Sequence, residues 1–241
     1  MKIKQKFNFI YRYLEYYQSI LVIIALMVIS NYTTYKSGNL FNRTTENKAQ
    51  QTNLYLLEEA KPYVLNLSAF EKKVRQVSRR LQIPPEWLMA VMHSESRFDA
   101  SVANHKGSGA TGLIQWMPTT AKEFGLTVKQ LRNLNHTEQL ELVFKYLDRV
   151  QKRYKPYESL TDVYLAILYP KAIGQDPCYS LYAAPHKAYA MNKGLDYNND
   201  DKVTVQDIDK FMLRIYKTAY HVDKKITVYD KMYTAIGGRF W

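Results

Sequence analysis

A single cysteine, Cys178, occurs in 241 residues, so the chain can close no intramolecular disulfide and build no thiolate zinc site. Stability must come from packing, with a hard metal ion as the available supplement. Glycine and proline are sparse, at 9 and 8 residues, which excludes a collagen-like repeat. Acidic residues are the minority: 22 Asp and Glu face 34 Lys and Arg, a net charge of +12. That imbalance implies an acidic partner, whether nucleic acid, anionic lipid or an acidic polymer, without choosing among them. Apolar runs long enough for several membrane spans are missing too, and a mean hydropathy of −0.39 excludes a multispanning protein. What is present suffices for a core: 46% hydrophobic and 14% aromatic residues exclude a disordered chain, and the length suits one real domain with attachments.

The one unbroken apolar run, Ile20 to Ile29, follows Lys2, Lys4, Lys6 and Arg12 and is flanked by Tyr16, Tyr17 and Tyr32. Basic leader, apolar stretch and interfacial tyrosines predict membrane targeting, with the N-terminus in the cytoplasm and the rest outside. An uncleaved signal anchor is the preferred reading, because Val28 and Ser30 make a poor signal-peptidase site. A cleaved signal peptide and a secreted or periplasmic product are the alternative. A buried core helix would not normally follow an unpaired basic leader. The division expected is residues 1–30 as anchor or signal, 31–61 as polar linker, 62–190 as the principal domain and 191–241 as an extension.

Helical periodicity begins after the linker. Phe70, Val74, Val77 and Leu81 recur on one face until Ile83-Pro84-Pro85, and Pro85 with Glu86 suits the first turn of the next helix. Leu140, Val143, Phe144, Leu147 and Val150 form another stripe behind Asn135 as N-cap, and Ser159 caps a third helix that Pro170 ends. No run of alternating strands and no internal repeat occurs, so a mainly α fold is expected.

Chemistry concentrates at the end of the Pro85 helix. Leu88, Val91 and Met92 lie seven, four and three residues before Glu95, so its carboxyl leaves the helix on the apolar side. Desolvation disfavours a carboxylate and raises its pKa, which is what a general acid near neutral pH requires. The plainer alternative is a Glu that caps or ion-pairs at a helix end. Asp99 is a tempting second carboxylate, but the helix is expected to end between the two, and Arg97-Phe98-Asp99 reads as a turn. The five histidines show neither metal-ligand spacing nor clustering, and His93 points away from Glu95. Cys178 has no catalytic pattern around it. No basic-aromatic nucleic-acid module emerges from the charge.

Glu95-Ser96-Arg97-Phe98-Asp99 is followed by Gly112-Leu113-Ile114-Gln115 and Met117-Pro118-Thr119-Thr120-Ala121. Together these resemble the transglycosylase SLT domain of soluble lytic murein transglycosylases, relatives of goose-type lysozyme. That family shows Glu-Ser at a helix end, then Gly-Leu-Met-Gln with a Met-Pro-x-Thr-Ala stretch, then Ala-Tyr-Asn. Ile114 replaces the methionine, and Tyr169-Pro170 keeps the tyrosine but replaces the asparagine. The likeness covers roughly residues 70–174.

The resemblance implies a lysozyme-like helical domain with a groove for peptidoglycan glycan strands. It implies Glu95 as the one catalytic carboxylate, acting as acid and then base on the bond between N-acetylmuramic acid and N-acetylglucosamine, with no catalytic cofactor. Gly112, Ile114, Gln115, Ser96 and Tyr169 would contact substrate or orient the acid, while Trp116 is expected mainly in the core. A hydrolytic muramidase using Asp99 and a non-catalytic wall-binding assembly protein are the alternatives, the latter prompted by Pro170.

A second pattern lies at Asp196-Tyr197-Asn198-Asn199-Asp200-Asp201-Lys202-Val203-Thr204-Val205-Gln206-Asp207. Asp196, Asn198, Asp200, Thr204 and Asp207 supply oxygen at the spacing of an EF-hand-like or dockerin-like loop, with the Lys202 carbonyl between them. Asp201 replaces the turn glycine and Asp207 the bidentate glutamate. A structural Ca²⁺ is the expectation, with a metal-free Asp/Asn-rich turn as the alternative.

Overall fold

The structure, a computed structural model, describes residues 54–104 and 107–223. The run at Ile20–Ile29 lies outside the described residues. Among the described residues no helix is long and apolar enough to cross a membrane.

The fold is mainly helical. A short α1 (Leu57–Ala60) leads into α2 (Leu67–Leu81), whose N-cap Asn66 accepts from the Ala69 N–H at 3.0 Å. The stripe read from the sequence is the buried one: Phe70, Val74, Val77 and Leu81 all face inward. α3 (Pro85–Ser96) starts at Pro85 and is buried along most of its length, Trp87 through Met92 being covered without a gap. A helix apolar on every side belongs in the centre, where other helices can cover it. α2, α7 (Leu160–Leu168) and α10 (Lys217–Tyr220) do so.

Between α3 and the next long helix lie α4 (Pro118–Glu123) and α5 (Val128–Asn133). α6 (His136–Arg153) then packs along α2. Asn135 and Glu138 form a reciprocal capping box, so the cap expected from the sequence is in place. Ser159 and Asp162 make a second box at the head of α7, which ends at Leu168, one residue before Tyr169, because Pro170 opens a single 3-10 turn, Pro170–Ala172. Arg80 lies over the Phe144 ring at 3.4 Å and bonds Glu141, which tightens the α2–α6 contact at its edge.

The periodicity alone does not anticipate one small sheet: β1 (Ser180–Ala183) pairs antiparallel with β2 (Lys202–Thr204), with Tyr182 opposite Val203. Two strands this short cannot be told from loops by alternation. α8 (Lys187–Asn192) lies between them and α9 (Val205–Ile215) follows directly.

The core also extends beyond the limits expected from the sequence. Leu54, Leu57 and Ala60, within the stretch read as polar linker, are buried, as are Ile208, Met212, Tyr216 and Ala219 in the stretch read as an extension. A four-residue helix is too short to display a period, so α1 left no signal in the sequence.

Candidate active site

Glu95 sits in the last turn of α3, where the helix is about to break. Ser96 is the last helical residue, and Arg97 and Phe98 both take left-handed backbone, with φ of 52° and 69°. Two consecutive non-glycine residues there are strained, by about 1–2 kcal/mol each. The anchors that hold them are visible: Phe98 is fully buried against Phe70 and His93, and its carbonyl lies 2.8 Å from His136 Nε2. The turn carries the chain off the helix, so Asp99 does not lie one helical turn beyond Glu95. The Asp99 carboxylate instead accepts from the Ser101 N–H and Oγ, both at 2.8 Å. That is the turn role expected of it.

The environment of Glu95 is the property that matters. Part of the residue remains open, but its carboxyl is closely surrounded, and burial raises its pKa from the ordinary 4.5 to about 7. Among the described residues no ion pair engages it. A carboxyl group so placed holds its proton near neutral pH and can release it there.

Two further side chains that the sequence did not single out lie within electrostatic reach of this acid. Tyr164, from α7, is buried, and both burial and the Glu95 charge push its phenol up. Tyr216, between α9 and α10, is buried too, and its pKa is raised first by burial and also by Glu95. Ser94 acts on both phenols in the opposite sense, lowering their pKa. Tyr164 left a faint trace, a hydroxyl within the otherwise apolar residues 163–168. Tyr216 left none, since nothing local marks a residue that reaches the site from so far along the chain.

The second motif is tied to the helix that carries Glu95. Ser96 Oγ donates within α3 to Met92 O at 3.1 Å and across to Leu113 O at 3.0 Å. Ser96 is thus a link between Glu-Ser and Gly-Leu-Ile-Gln. The other backbone group of Leu113, its N–H, donates to Gln139 Oε1 at 2.9 Å. Gln139, fully buried on α6, donates in turn to Ala100 O at 2.6 Å and Leu131 O at 3.0 Å. Gly112 is needed at this point: its φ is 78°, and a Cβ there would meet Gln139 Oε1 at 2.6 Å. Gln115 closes the turn with left-handed backbone, φ 51°, and its Nε2 donates to Gly112 O at 3.2 Å. Thr111 and Trp116 exchange backbone hydrogen bonds on either side of it.

Ile114 is buried in the core, as is Trp116, whose ring meets Phe124 and Tyr146 edge-on at 5.5 and 5.6 Å. Tyr169 meets Tyr182 edge-on at 5.6 Å, and the Tyr179 phenol is raised first by burial and then by Tyr169. Gln139 could have been suspected from the sequence, being a polar residue beside the apolar stripe of α6.

The loop at 196–207 is internally bonded. Asp201 takes the left-handed backbone expected at the turn position, φ 64°. The Asp196 carboxylate accepts from the Asp200 and Asp201 N–H groups and from the Tyr189 hydroxyl at 2.8 Å. Burial would raise its pKa, but those donors outweigh it and hold the carboxyl below its ordinary value. Asn198 Nδ2 donates to Asp200, whose other oxygen takes the Lys202 N–H. Asp207 serves as the N3 acid of the α9 capping box with Thr204. Among the described residues no three His, Cys, Asp or Glu side chains are grouped so as to hold a metal ion. The loop carboxylates are held by donors of the loop itself, and no chemistry is routed through a metal.

Comparison of the chain with curated proteins returned no match. The helices and turns that hold Glu95, Ser96 and the Gly112–Gln115 turn coincide with a known family unit: residues 72–169, under half of the chain, match the family model of the transglycosylase SLT domain, whose members are lytic transglycosylases.

Proposed function

We propose that this protein is a peptidoglycan lytic transglycosylase that cleaves the β-1,4 bond between N-acetylmuramic acid and N-acetylglucosamine and leaves a 1,6-anhydro-muramyl end. The observation that carries this reading is Glu95, a carboxyl with no ion pair among the described residues that burial raises to a pKa of about 7, inside a transglycosylase SLT match. A glycosidic oxygen is a poor leaving group until it is protonated, and a carboxylic acid poised near working pH supplies the proton most efficiently.

The reaction balances with one carboxyl group. Glu95 gives its proton to the glycosidic oxygen as the bond to muramic C1 breaks, and N-acetylglucosamine leaves with a free 4-hydroxyl. The muramic acetamide oxygen bonds to C1 and holds the charge. Glu95, now a carboxylate, takes the proton of the 6-hydroxyl, and O6 displaces the acetamide from C1. The ring closes without water and Glu95 ends protonated. The occupation of Asp99 by Ser101 supports this route over one needing a second carboxylate to activate water.

Mass spectrometry of digested murein is the test. Anhydro-muropeptides are expected, each lighter by one water than a reducing-end product; reducing ends alone would mean a hydrolytic muramidase. The proposal extends to location: the basic leader and apolar run at Ile20–Ile29 support a single-pass anchor with the catalytic domain outside the cytoplasmic membrane. Calcium at 196–207 is a separate proposal that rests on the twelve-residue spacing and left-handed Asp201. It predicts a calcium-dependent rise in melting temperature that Asp196→Ala abolishes, and an unchanged melting curve on adding calcium retires it.

A further inference from the structure

The outer face of α9 gathers positive charge around an exposed aromatic ring. Val205, Ile208 and Met212 turn into the core, while Gln206, Leu213 and Arg214 are exposed and Lys210 is half-buried. Tyr197, 52% exposed, reaches this face from the preceding loop. Its N–H donates to Asp207 Oδ1 at 3.4 Å in the first turn of α9, which sets the loop against the head of the helix. Lys210 Nζ then lies 5.3 Å and Arg214 Cζ 5.9 Å from the centre of the Tyr197 ring. Both distances are within cation–π range, so ring and cations hold one another in place. Among the described residues neither cation is in an ion pair. Residues 210–218 include three basic side chains and no acid. The acids nearest in sequence are engaged elsewhere: Asp209 takes the Thr161 hydroxyl, Asp207 the Thr204 N–H, and Asp200 the Lys202 N–H and Asn198 Nδ2.

We propose that Tyr197, Lys210 and Arg214 form a second glycan-binding site, one that holds a carboxylate-bearing polysaccharide without cleaving it. A sugar presents an apolar C–H face that an exposed aromatic ring can cover, and carboxylates beside the sugar meet the planar fork of Arg214 and the ammonium of Lys210. Peptidoglycan has both properties, a sugar chain and acidic peptide stems; naming it rests on the function proposed above. All three residues lie beyond the family-matched span, residues 72–169. An anionic membrane is met by a broad apolar face bordered by basic residues. Here the exposed apolar side chains are one ring and Leu213, with Ile215 at the helix end. A strand held at this face raises the concentration of its bonds near Glu95, so the site serves the intact polymer and not short chains that cannot span both places.

The test uses the full chain in detergent, carrying Glu95→Gln so that sacculi are bound without digestion, and measures cosedimentation with purified sacculi. Lys210→Glu/Arg214→Glu is expected to weaken binding about tenfold, the worth of two exposed charge contacts, and Tyr197→Ala about threefold. Added salt narrows the first difference and leaves the second. With Glu95 restored, both variants release muropeptides more slowly from intact sacculi yet cleave short soluble glycan chains at the wild-type rate. Lys210→Gln/Arg214→Gln stands in if the reversed charges do not fold. Sacculus binding unchanged in both variants overturns the proposal, as does an equal loss of activity on soluble chains, which would place these residues in the service of the Glu95 groove or of the fold. Loss of binding to phosphatidylglycerol vesicles with sacculus binding intact assigns the face to a membrane and overturns it too. If the wild type cleaves no murein but holds sacculi through these residues, the functional proposal fails and the binding site stands.

Discussion

Glu95→Gln is expected to lower murein cleavage by about 10³-fold, within the range that a positioned general acid contributes. Glutamine matches the side chain in shape but has no proton to give the glycosidic oxygen and no charge with which to take one from the 6-hydroxyl. Release of soluble muropeptides measures the loss, and equal clearance by variant and wild type would remove Glu95 from the mechanism. The same substitution has an opposite effect on stability. The folded pKa of about 7 lies above the ordinary 4.5, so between those values the folded protein holds a proton that the unfolded chain has released. Relative to a non-titrating glutamine, the wild type is unpenalised below about pH 4.5 and loses stability progressively as pH rises through about 7, by at most about 3 kcal/mol. Urea denaturation at pH 4 and pH 8 should therefore find Glu95→Gln near wild type at the first and the more stable protein at the second. This is the cost of keeping a carboxyl group unpaired at the site, and it arises from the same burial that makes the acid useful.

The second large effect is expected at a residue that touches no substrate in the proposed mechanism. Gln139→Ala removes one acceptor and two donations at once and strands the Leu113 N–H and the Ala100 carbonyl inside the protein, while the Leu131 carbonyl keeps the Leu134 N–H. At 1–3 kcal/mol for each unsatisfied buried group the loss comes to roughly 4 kcal/mol, a large part of the 5–15 kcal/mol that ordinarily holds a domain folded. Gln139→Glu should not rescue it, because a carboxylate can accept from Leu113 but cannot donate to two carbonyls. The shift in urea midpoint is the measurement, and a midpoint close to wild type for Gln139→Ala would mean that the clamp is not needed. Gly112→Ala attacks the same clamp from the other side: its Cβ would press on Gln139 Oε1, and its φ of 78° suits glycine alone.

These residues mark where local signals end. Glu95, its helix and the caps at Asn135 and Ser159 were legible because each depends on neighbours within a few positions: apolar spacing of three and four, a side-chain oxygen ahead of a helix, a proline after it. The turn role of Asp99 and the core position of Trp116 were readable for the same reason. The Gly-Leu-Ile-Gln turn was recognisable as a motif, yet the roles of its members were assigned there by likeness. In the fold Ser96 spans from the helix to Leu113, and Gln115 bonds back to Gly112. The first is a contact between chain segments that the sequence leaves unrelated, and the second is a bond within the turn whose direction only the backbone path sets.

The sequence by itself determined the helical class, the acid on an apolar face, and a chain without disulfides that must rely on packing. Tertiary structure alone decided that Leu54, Leu57, Ala60, Ile208, Met212 and Ala219 belong to the core, that Tyr164 and Tyr216 feel the charge of Glu95, and that Gln139 holds the glycine turn. The reason is physical. Periodicity reports which side of an element is apolar, whereas desolvation and long-range hydrogen bonds depend on which elements meet. The raised pKa of Glu95 comes from the burial of its carboxyl, and burial is set by which elements meet around it.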